Sequence, residues 1–335
     1  MIHLALLGCG GMASWHAERI LKVPELKVVA LVDSTPARAT SFREKYFPDA
    51  EPYLTYENLF AKPPAQLNAI LIMTPHTLHY AHAKQALEAG LDVMLEKPMV
   101  TRLEDAYDLW RTVKRTGRKL AITFQAPYSA EFRYLKGLRD SGQLGTPQII
   151  QGWLAQGWMK LTEGTWRQDP SLSGGGQMYD AGAHVLNGMM WLMDNPVVEV
   201  FCLTDNLGTP VDINGVACMR FENGALGSVA IGGNSGGWLT RISLQTDRLQ
   251  VVTGAHGGFL EITNAPEFKY PAVPTSTDPF AFTPHRNFAD AVLGRDTLLC
   301  PVRYGVLLSA LMDALYESVE TRRPVKVKPV PRDLD

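Results

Sequence analysis

The chain has 335 residues, 46% hydrophobic and 20% charged, the composition of an ordinary globular protein of about two domains. Its 32 Lys and Arg against 34 Asp and Glu give a net charge of −2 without long single-sign runs, which argues against nucleic acid as the main partner. No apolar stretch approaches the ~20 residues that span a bilayer, no basic leader precedes the first strand, and the four cysteines are scattered, so we expect a cytoplasmic protein without a membrane partner.

A glycine-rich turn follows the first predicted strand, residues 2–7. It matches the pattern G-x-G-x-x-G/A and is followed by helical spacing up to Pro24: Gly8-Cys9-Gly10-Gly11-Met12-Ala13. Gly8 permits a tight turn, Gly10 lets the backbone approach a pyrophosphate, and Ala13 is small enough for helix and strand to pack. Phosphates are favoured at the helix start, where free N–H groups point outward.

The second predicted strand, residues 28–32, ends on an acid. Asp33 would accept hydrogen bonds from the adenosine ribose hydroxyls and repel a 2′-phosphate, which favours NAD over NADP. Arg38 lies close enough in sequence to offset Asp33, so NADP stays open. A strand, the glycines, a helix, a strand and an acid in this order predict a dinucleotide-binding domain.

The alternation of strands and helices continues to residue 124. Further strands are predicted at 53–55, 69–73, 93–95 and 119–124, and helices at 56–60, at 77–89 and after the capping box Thr101-Arg102-Leu103-Glu104. Six strands separated by helices predict a doubly wound parallel sheet. His76, His79 and His82 do not predict a metal site, because positions six apart do not share a helix face and no carboxylate has matching spacing.

The segment Glu96-Lys97-Pro98 ends the fifth predicted strand. A parallel strand delivers such polar residues to the carboxyl edge of the sheet, where open α/β folds bind ligands. A lysine that is partly desolvated there can have its pKa drawn from about 10.4 towards neutrality, and it can then accept a proton. Pro98 fixes the backbone immediately after it.

Residues 125–335 follow a different pattern and predict a second domain. A helix ends near Ser141, a strand is predicted at 147–158, and a loop at 159–173 holds Trp166 and Arg167. Three glycines, Gly174 to Gly176, allow the backbone close to something bulky and precede a helix that runs to Met193.

Asp180 and His184 are four residues apart, so on this helix they would share a face. A carboxylate accepts hydrogen bonds from hydroxyls, while histidine donates, accepts and carries a proton near neutral pH. The pair therefore suits a polyol ligand, and no third ligand of convincing spacing indicates a metal.

Antiparallel strands are predicted from 197 to 262, with an Asn223-Gly224 hairpin and a turn at 254–258. One face of such a sheet packs on helices and the other needs water or a partner subunit, which favours a homodimer or homotetramer. A Pro-rich loop is expected at 264–284, and helices at 287–293 and 304–321. Four tryptophans could stack on sugar rings or belong to the core: Trp153, Trp158, Trp166 and Trp238.

Taken together, these motifs resemble the Gfo/Idh/MocA family of oxidoreductases. The resemblance covers nearly the whole chain and rests on the glycine turn, on Thr74-Pro75-His76-Thr77-Leu78-His79, on Glu96-Lys97-Pro98, on Trp166-Arg167 and on residues 174–184. It implies a Rossmann domain (1–124) joined to an α/β domain (125–335) with a large open, mostly antiparallel sheet that commonly pairs between subunits. It also implies NAD(P) and a sugar, polyol or related substrate.

The resemblance also implies roles for individual residues. Lys97 would be the catalytic acid/base, His184 its proton partner, and Asp180 would orient the substrate or His184. The residues expected at the cofactor are Gly8, Cys9, Gly10, Gly11, Met12, Ala13, Asp33, Arg38, Thr74, Pro75, His76, His79, Glu96, Lys97 and Gln125. Those expected at the substrate are Lys97, Tyr128, Trp158, Trp166, Arg167, Asp180 and His184.

The chain departs from the family pattern near the nicotinamide end. The family often has Asn where this chain has His76, and an Arg-Tyr or similar pair where it has Pro127-Tyr128. Two other functions stay open: a redox-neutral glycosidase that oxidises a sugar hydroxyl transiently, and a non-catalytic sensor of cofactor or sugar.

Overall fold

The computed structural model describes residues 1–264 and 282–331. Its first sheet consists of β1 (Ile2–Leu7), β2 (Leu26–Val32), β3 (Glu51–Tyr53), β4 (Ala69–Ile72), β5 (Asp92–Leu95) and β6 (Leu120–Ile122). The strands are parallel, in the order β3-β2-β1-β4-β5-β6. The strand order reverses between β1 and β4. Open α/β sheets bind ligands at the carboxyl ends of the strands at such a point.

Five helices connect these strands: α1 (Gly11–Ile20), α2 (Pro36–Tyr46), α3 (Tyr56–Ala61), α4 (His79–Glu88) and α5 (Leu103–Thr116). Successive side chains of a strand point to opposite faces of the sheet. Strands such as β4 and β5 are buried at every position, so both faces of the sheet are covered. Ile70 and Leu71, for example, are fully buried in separate core clusters. The prediction of a doubly wound parallel sheet is confirmed.

A second sheet consists of β7 (Pro147–Ala155), β8 (Val197–Asp205), β9 (Asn214–Phe221), β10 (Leu226–Gly232), β11 (Leu239–Thr246), β12 (Leu249–Thr253), β13 (Leu260–Asn264) and β14 (Val325–Lys326). Its order is β13-β12-β11-β7-β10-β9-β8-β14, and neighbouring strands are antiparallel except β7 and β10. The expected open, mostly antiparallel sheet is therefore confirmed. Residues 265–281 of the predicted Pro-rich loop lie outside the described residues.

The remaining helices are α6 (Ala130–Asp140), α7 (Trp158–Leu161), α8 (Pro170–Ser173), α9 (Gly182–Met193), α10 (Pro284–Val292) and α11 (Val302–Thr321). Helix α9 is almost completely buried against one face of the second sheet. Glycine permits this close approach, since a Cβ on Gly152 of β7 would lie 2.5 Å from Val185 Cγ1. No helix of the described residues combines the length and apolar character that a bilayer span requires.

The opposite face of the second sheet has no helix against it in the described part of the chain. Trp153, Leu203 and Val216 are each at least half exposed there. Helix α10 packs on the first sheet, to whose core Phe288 and Ala289 belong. Helix α11 packs on β8 of the second sheet and on α5, and Pro301 just before it pairs with Ala121 of β6. The division of the chain at residues 124 and 125 stays a prediction.

Several predicted boundaries were wrong. The strand predicted at 147–158 ends at Ala155, and Trp158 begins α7. The third strand ends at Tyr53 instead of beginning there. Helix α5 has Arg102 at its N-cap without a side-chain capping bond, so the Thr101 capping box does not form.

Asp180 also lies outside the helix on which it was predicted. It stands in the turn before α9, which begins at Gly182. The four-residue spacing to His184 therefore does not place the two side chains on one helix face.

A buried chain of polar side chains connects α1 and α10 to the end of β5. Glu96 Oε1 accepts hydrogen bonds from Thr123 Oγ1 at 2.6 Å and from His16 Nε2 at 2.7 Å. Because the carboxylate only accepts, His16 Nε2 carries a hydrogen, and its Nδ1 lies 2.8 Å from Nε2 of His285. Burial by itself would raise the pKa of Glu96, but the hydrogen bond and charge of His16, the charge of Lys97 and the bond from Thr123 lower it to about 2.

The low pKa of Glu96 predicts a pH dependence of stability. A carboxylate whose pKa is lower in the folded than in the unfolded chain stabilises the fold above its unfolded pKa, and this contribution is lost as the pH falls towards the folded value. We expect the stability advantage of the wild type over Glu96→Gln to shrink by about 2 kcal/mol between pH 6 and pH 3, measured by urea unfolding.

The exposed Glu44 provides the control for this measurement. Glu44→Gln should keep the same difference from the wild type over the whole pH range. A Glu96→Gln difference that stays constant with pH would contradict the interpretation of the buried chain.

Candidate active site

A cavity of about 410 Å³ lies where the carboxyl ends of the first-sheet strands meet the second half of the chain. The first half lines it with residues that follow β4, β5 and β6 and with the start of α1. The second half contributes the end of β7, the loop before α9, the start of α9 and two loops of the second sheet. The lining residues are Met12, Met73, Thr74, His76, His79, Glu96, Lys97, Thr123, Gln125, Leu154, Gln156, Trp166, Arg167, Asp180, Ala181, His184, Trp238 and His256.

Lys97 and Asp180 form an ion pair across this cavity. Lys97 directly follows Glu96 at the end of β5 and precedes a cis peptide bond to Pro98. Its Nζ donates to the backbone oxygen of Asp180 at 2.9 Å and to Oδ1 of the same residue at 2.5 Å. The two side chains are 11% and 9% exposed, so the pair is largely removed from water.

The second carboxylate oxygen of Asp180 is also bonded. Oδ2 accepts hydrogen bonds from Trp158 Nε1 at 2.8 Å and from Arg167 Nε at 3.1 Å. Burial by itself would raise the pKa of Asp180, but the positive charge of Lys97, with a smaller effect of Arg167, holds it far below the usual range. Asp180 is therefore a fixed anion at working pH.

The four histidines of the cavity, His76, His79, His184 and His256, have pKa values lowered mainly by burial. The pKa of His76 falls to about 3 and that of His256 to about 4, and the pKa of His184 lies well below its ordinary value. The His184 ring packs against Phe124 and against His256, with ring centroids 6.0 Å and 4.6 Å away. Its ring nitrogens have no hydrogen-bond partner among the described residues, so they are available to a ligand.

The glycine turn has the geometry that a dinucleotide requires. Gly8 has φ +101°, and a Cβ there would lie 3.0 Å from the backbone oxygen of Met73. At Gly10, which precedes α1, nothing lies within 4 Å of the Cβ position, so the backbone is open to a ligand at the helix start.

At the end of β2, Asp33 is held in place by the backbone. Its Oδ2 accepts from Cys9 N at 2.9 Å and its Oδ1 from Thr35 N at 2.8 Å, while the half-exposed Arg38 lies 3.5 Å away. These residues fit an adenosine ribose.

The three glycines before Asp180 approach protein rather than an open site. A Cβ on Gly176 would lie 2.0 Å from the backbone oxygen of Asp212, and one on Gly174 would lie 2.5 Å from the Thr101 side chain. Asp212 accepts hydrogen bonds from the backbone N–H groups of Gly176 and Met178, both at 2.8 Å. These contacts fix the turn that presents Asp180.

The structure brings many of the predicted site residues together. Among those expected at the cofactor, the cavity is lined by Met12, Thr74, His76, His79, Glu96, Lys97 and Gln125. The others follow β1, β2 or β4, or belong to α1 or α2, outside the cavity lining: Gly8, Cys9, Gly10, Gly11, Ala13, Asp33, Arg38 and Pro75. Among those expected at the substrate, the cavity is lined by Lys97, Trp166, Arg167, Asp180 and His184.

Two residues expected at the substrate do not line the cavity. Tyr128 is buried in the core near Cys300, because the turn that holds it packs under α9. Trp158 is also buried and contacts Asp180 instead of the cavity. Trp158 thus supports Asp180, and a substrate contact of Tyr128 or Trp158 stays a prediction.

Several further lining residues had little signal in the sequence, among them His256 and Gln156. His256 belongs to the glycine-flanked turn at 254–258, which was predicted only as a turn, and Gln156 follows the end of β7. A histidine between glycines was the available signal for His256. Its Nδ1 is buried without a partner among the described residues.

Comparison with known proteins places these features in a family. Residues 2–124 match the model of the GFO_IDH_MocA oxidoreductase family with an NAD-binding Rossmann fold, and residues 132–257 match the GFO/IDH/MocA C-terminal domain. D-glucoside 3-dehydrogenase of Escherichia coli is 29% identical over 209 residues, 59% of this chain and 56% of that protein. Inositol 2-dehydrogenase of Streptomyces avermitilis is 27% identical over 279 residues, 78% of each chain. The matched segments thus span little more than half of the first of these relatives.

Solved structures share the fold over almost the whole chain. The WlbA dehydrogenase of Bordetella pertussis, crystallised with NADH and UDP-GlcNAcA, has a TM-score of 0.85 at 21% identity, with 98% of both chains covered. Levoglucosan dehydrogenase in complex with NADH also has a TM-score of 0.85, at 18% identity, with 98% of this chain and 100% of that chain covered. The two domain matches together extend over most of the sequence, and the chain therefore belongs to the GFO/IDH/MocA family of NAD-binding oxidoreductases.

Proposed function

We propose that this protein is a dehydrogenase that moves a hydride between NAD and a secondary hydroxyl carbon of a sugar, polyol or sugar derivative. The observation that carries the proposal is the buried pair of Lys97 and Asp180, which joins the dinucleotide-binding half to the other half in a cavity that His184 also lines. The activities named for relatives, on a D-glucoside and on inositol, support a ring bearing secondary hydroxyls as the substrate.

Lys97 is the proposed acid/base. In the oxidation direction its neutral amine takes the proton of the reacting hydroxyl, and in the reverse direction its ammonium returns it. Asp180, held as an anion, stabilises the positive charge that develops on Nζ when the proton arrives. When bound, the nicotinamide would supply the hydride acceptor.

His184 is the proposed proton partner of this step. It is neutral because burial lowers its pKa, and no described residue bonds to its ring nitrogens, which are available to a substrate hydroxyl. Among the described contacts Asp180 bonds to Lys97, Trp158 and Arg167 and not to His184, so we assign Asp180 to orienting Lys97.

We further propose that NAD is preferred over NADP. The carboxylate of Asp33 at the end of β2 accepts hydrogen bonds from ribose hydroxyls and repels a 2′-phosphate. Arg38 at 3.5 Å reduces this repulsion, so NADP stays a second cofactor.

The exposed face of the second sheet is a proposed subunit interface. Trp153, Leu203 and Val216 form an apolar surface on its strands, and such a surface is typical of a homodimer or homotetramer contact. The partner that fits is a second copy of this chain, because the family resemblance implies face-to-face pairing of this sheet.

The role of Lys97 predicts a loss of chemistry without loss of cofactor binding. Lys97→Ala should lower the rate of NADH formation about 100-fold or more, because the proton acceptor is removed, while NAD affinity measured by calorimetry changes little. The assay follows absorbance of reduced nicotinamide across sugars, polyols and sugar acids, with NAD and NADP tested separately. Lys160→Ala, an exposed lysine outside the cavity lining, is the control.

Other outcomes of the same assay would contradict the proposal. Near-normal turnover of Lys97→Ala would overturn the acid/base assignment. Consumption of a glycoside without accumulation of NADH would indicate the redox-neutral glycosidase. Ligand affinity without turnover on any member of the panel would indicate a sensor.

The interface predicts a change of oligomeric state. The wild type should be a dimer or tetramer at micromolar concentration by analytical ultracentrifugation, and Trp153→Glu should shift it to monomer, because a charge is buried in the contact. Leu161→Glu, at an exposed apolar residue away from the sheet, should not. A monomeric wild type at this concentration would contradict the interface.

A further inference from the structure

His76 is held in one orientation by two contacts with the second half of the chain. Its Nδ1 lies 3.0 Å from the backbone oxygen of Ser173, the last residue of α8, and its ring meets the ring of Trp166 edge to face, with centroids 4.7 Å apart. The neighbouring Thr77 Oγ1 donates to the Ser171 backbone oxygen at 3.0 Å, so residues 76 and 77 each form a hydrogen bond with a backbone oxygen of α8. His76 is 3% exposed and lines the cavity.

The contact with Ser173 fixes the tautomer of His76. A carbonyl oxygen only accepts hydrogen bonds, so Nδ1 must carry the hydrogen. Burial keeps the ring neutral, with a pKa lowered to about 3. A neutral imidazole has a single N–H, and Nε2 therefore presents a lone pair.

The lone pair of Nε2 faces a second acceptor. Asp180 Oδ1, which accepts from Lys97 Nζ, lies 3.8 Å from Nε2, and no hydrogen-bond donor of the described residues serves Nε2. Besides Asp180 and Lys97, the titratable neighbour of the His76 ring is His79. His79 is buried, and burial lowers the pKa of His79. Two acceptors this close, without a donor for Nε2, are satisfied only when a ligand or water brings an O–H or N–H group between them.

We propose that His76 Nε2 accepts a hydrogen bond from the substrate hydroxyl next to the one that is oxidised, so that the site selects vicinal diols. Nε2 lies 3.8 Å from the carboxylate oxygen that accepts from Lys97 Nζ, so the two groups can serve neighbouring hydroxyls of one substrate. Trp166, packed on the His76 ring, forms an apolar wall beside this position. The proposal rests on the proposed function and assigns to His76 a role in substrate specificity instead of a contact with the cofactor.

A substrate without this hydroxyl should be rejected, because Nε2 then stays unpaired in a buried site. With the best polyol of the panel, we expect the wild-type kcat/KM to fall about 10- to 100-fold when the hydroxyl beside the reacting carbon is replaced by hydrogen. His76→Phe keeps a ring against Trp166 and removes both nitrogens. It should be slower on the parent substrate and show no further loss on the deoxy analogue.

A matched control is His3→Phe, at the end of β1 opposite the cavity. This variant should discriminate between the two substrates as strongly as the wild type. Equal additional losses in the wild type and in His76→Phe would overturn the proposal.

The tautomer can be measured without turnover. In protein labelled with ¹⁵N-histidine, ring ¹H–¹⁵N correlations of His76, assigned by its loss in His76→Phe or His76→Gln, should show a hydrogen on Nδ1 and none on Nε2 near pH 7. A hydrogen on Nε2, or a charged ring, would overturn the proposal. Loss of activity in Lys97→Ala together with an Nε2–H tautomer would leave the proposed function standing and reject the role of His76 alone.

Discussion

The ion pair between Lys97 and Asp180 is the contact on which the rest of the site depends. It joins residues 83 positions apart and brings the end of β5 against the turn before α9. Removing one partner of a buried pair leaves an uncompensated charge and costs about 3–5 kcal/mol. Asp180 is accordingly surrounded by donors, Trp158 and Arg167 among them, which hold it ionised and in place. In the proposed mechanism, the carboxylate of Asp180 therefore serves both the reaction and the contact between the two halves of the chain.

Around this pair the cavity is lined by neutral rings. Burial lowers the pKa values of His76, His184 and His256, so these side chains offer lone pairs and single N–H groups instead of charge. For the acid/base role that we propose for Lys97, this means that the neighbouring rings do not take up the proton themselves at neutral pH. A site of this kind suits a neutral, hydroxyl-rich substrate. Glu96 accepts hydrogen bonds from His16 and Thr123, and these bonds continue the network of polar side chains from the cavity into the core.

Local sequence signals predicted the dinucleotide half well. The glycine turn, Asp33 and the end of β5 are each defined by a few consecutive residues whose backbone geometry follows from residue type, and Gly8 has the positive φ that the motif requires. The same reasoning failed for Asp180, since the spacing to His184 indicated one helix face while Asp212 holds Asp180 in a turn before the helix. It also did not anticipate the burial of Tyr128, because nothing local distinguishes a buried tyrosine from one that reaches a cavity.

The sequence by itself determined the two kinds of sheet, the dinucleotide motif and the identity of Lys97, Asp180 and His184 as candidate residues, since periodicity and short motifs act through neighbouring residues. Only the tertiary structure decided which of these side chains meet. Three features depend on contacts between segments far apart in the chain: Asp180 pairs with Lys97, His256 packs beside His184, and the carbonyl of Ser173 sets the tautomer of His76. Such contacts follow from how α8, α9 and the second sheet pack against the first sheet, and no local pattern specifies that packing.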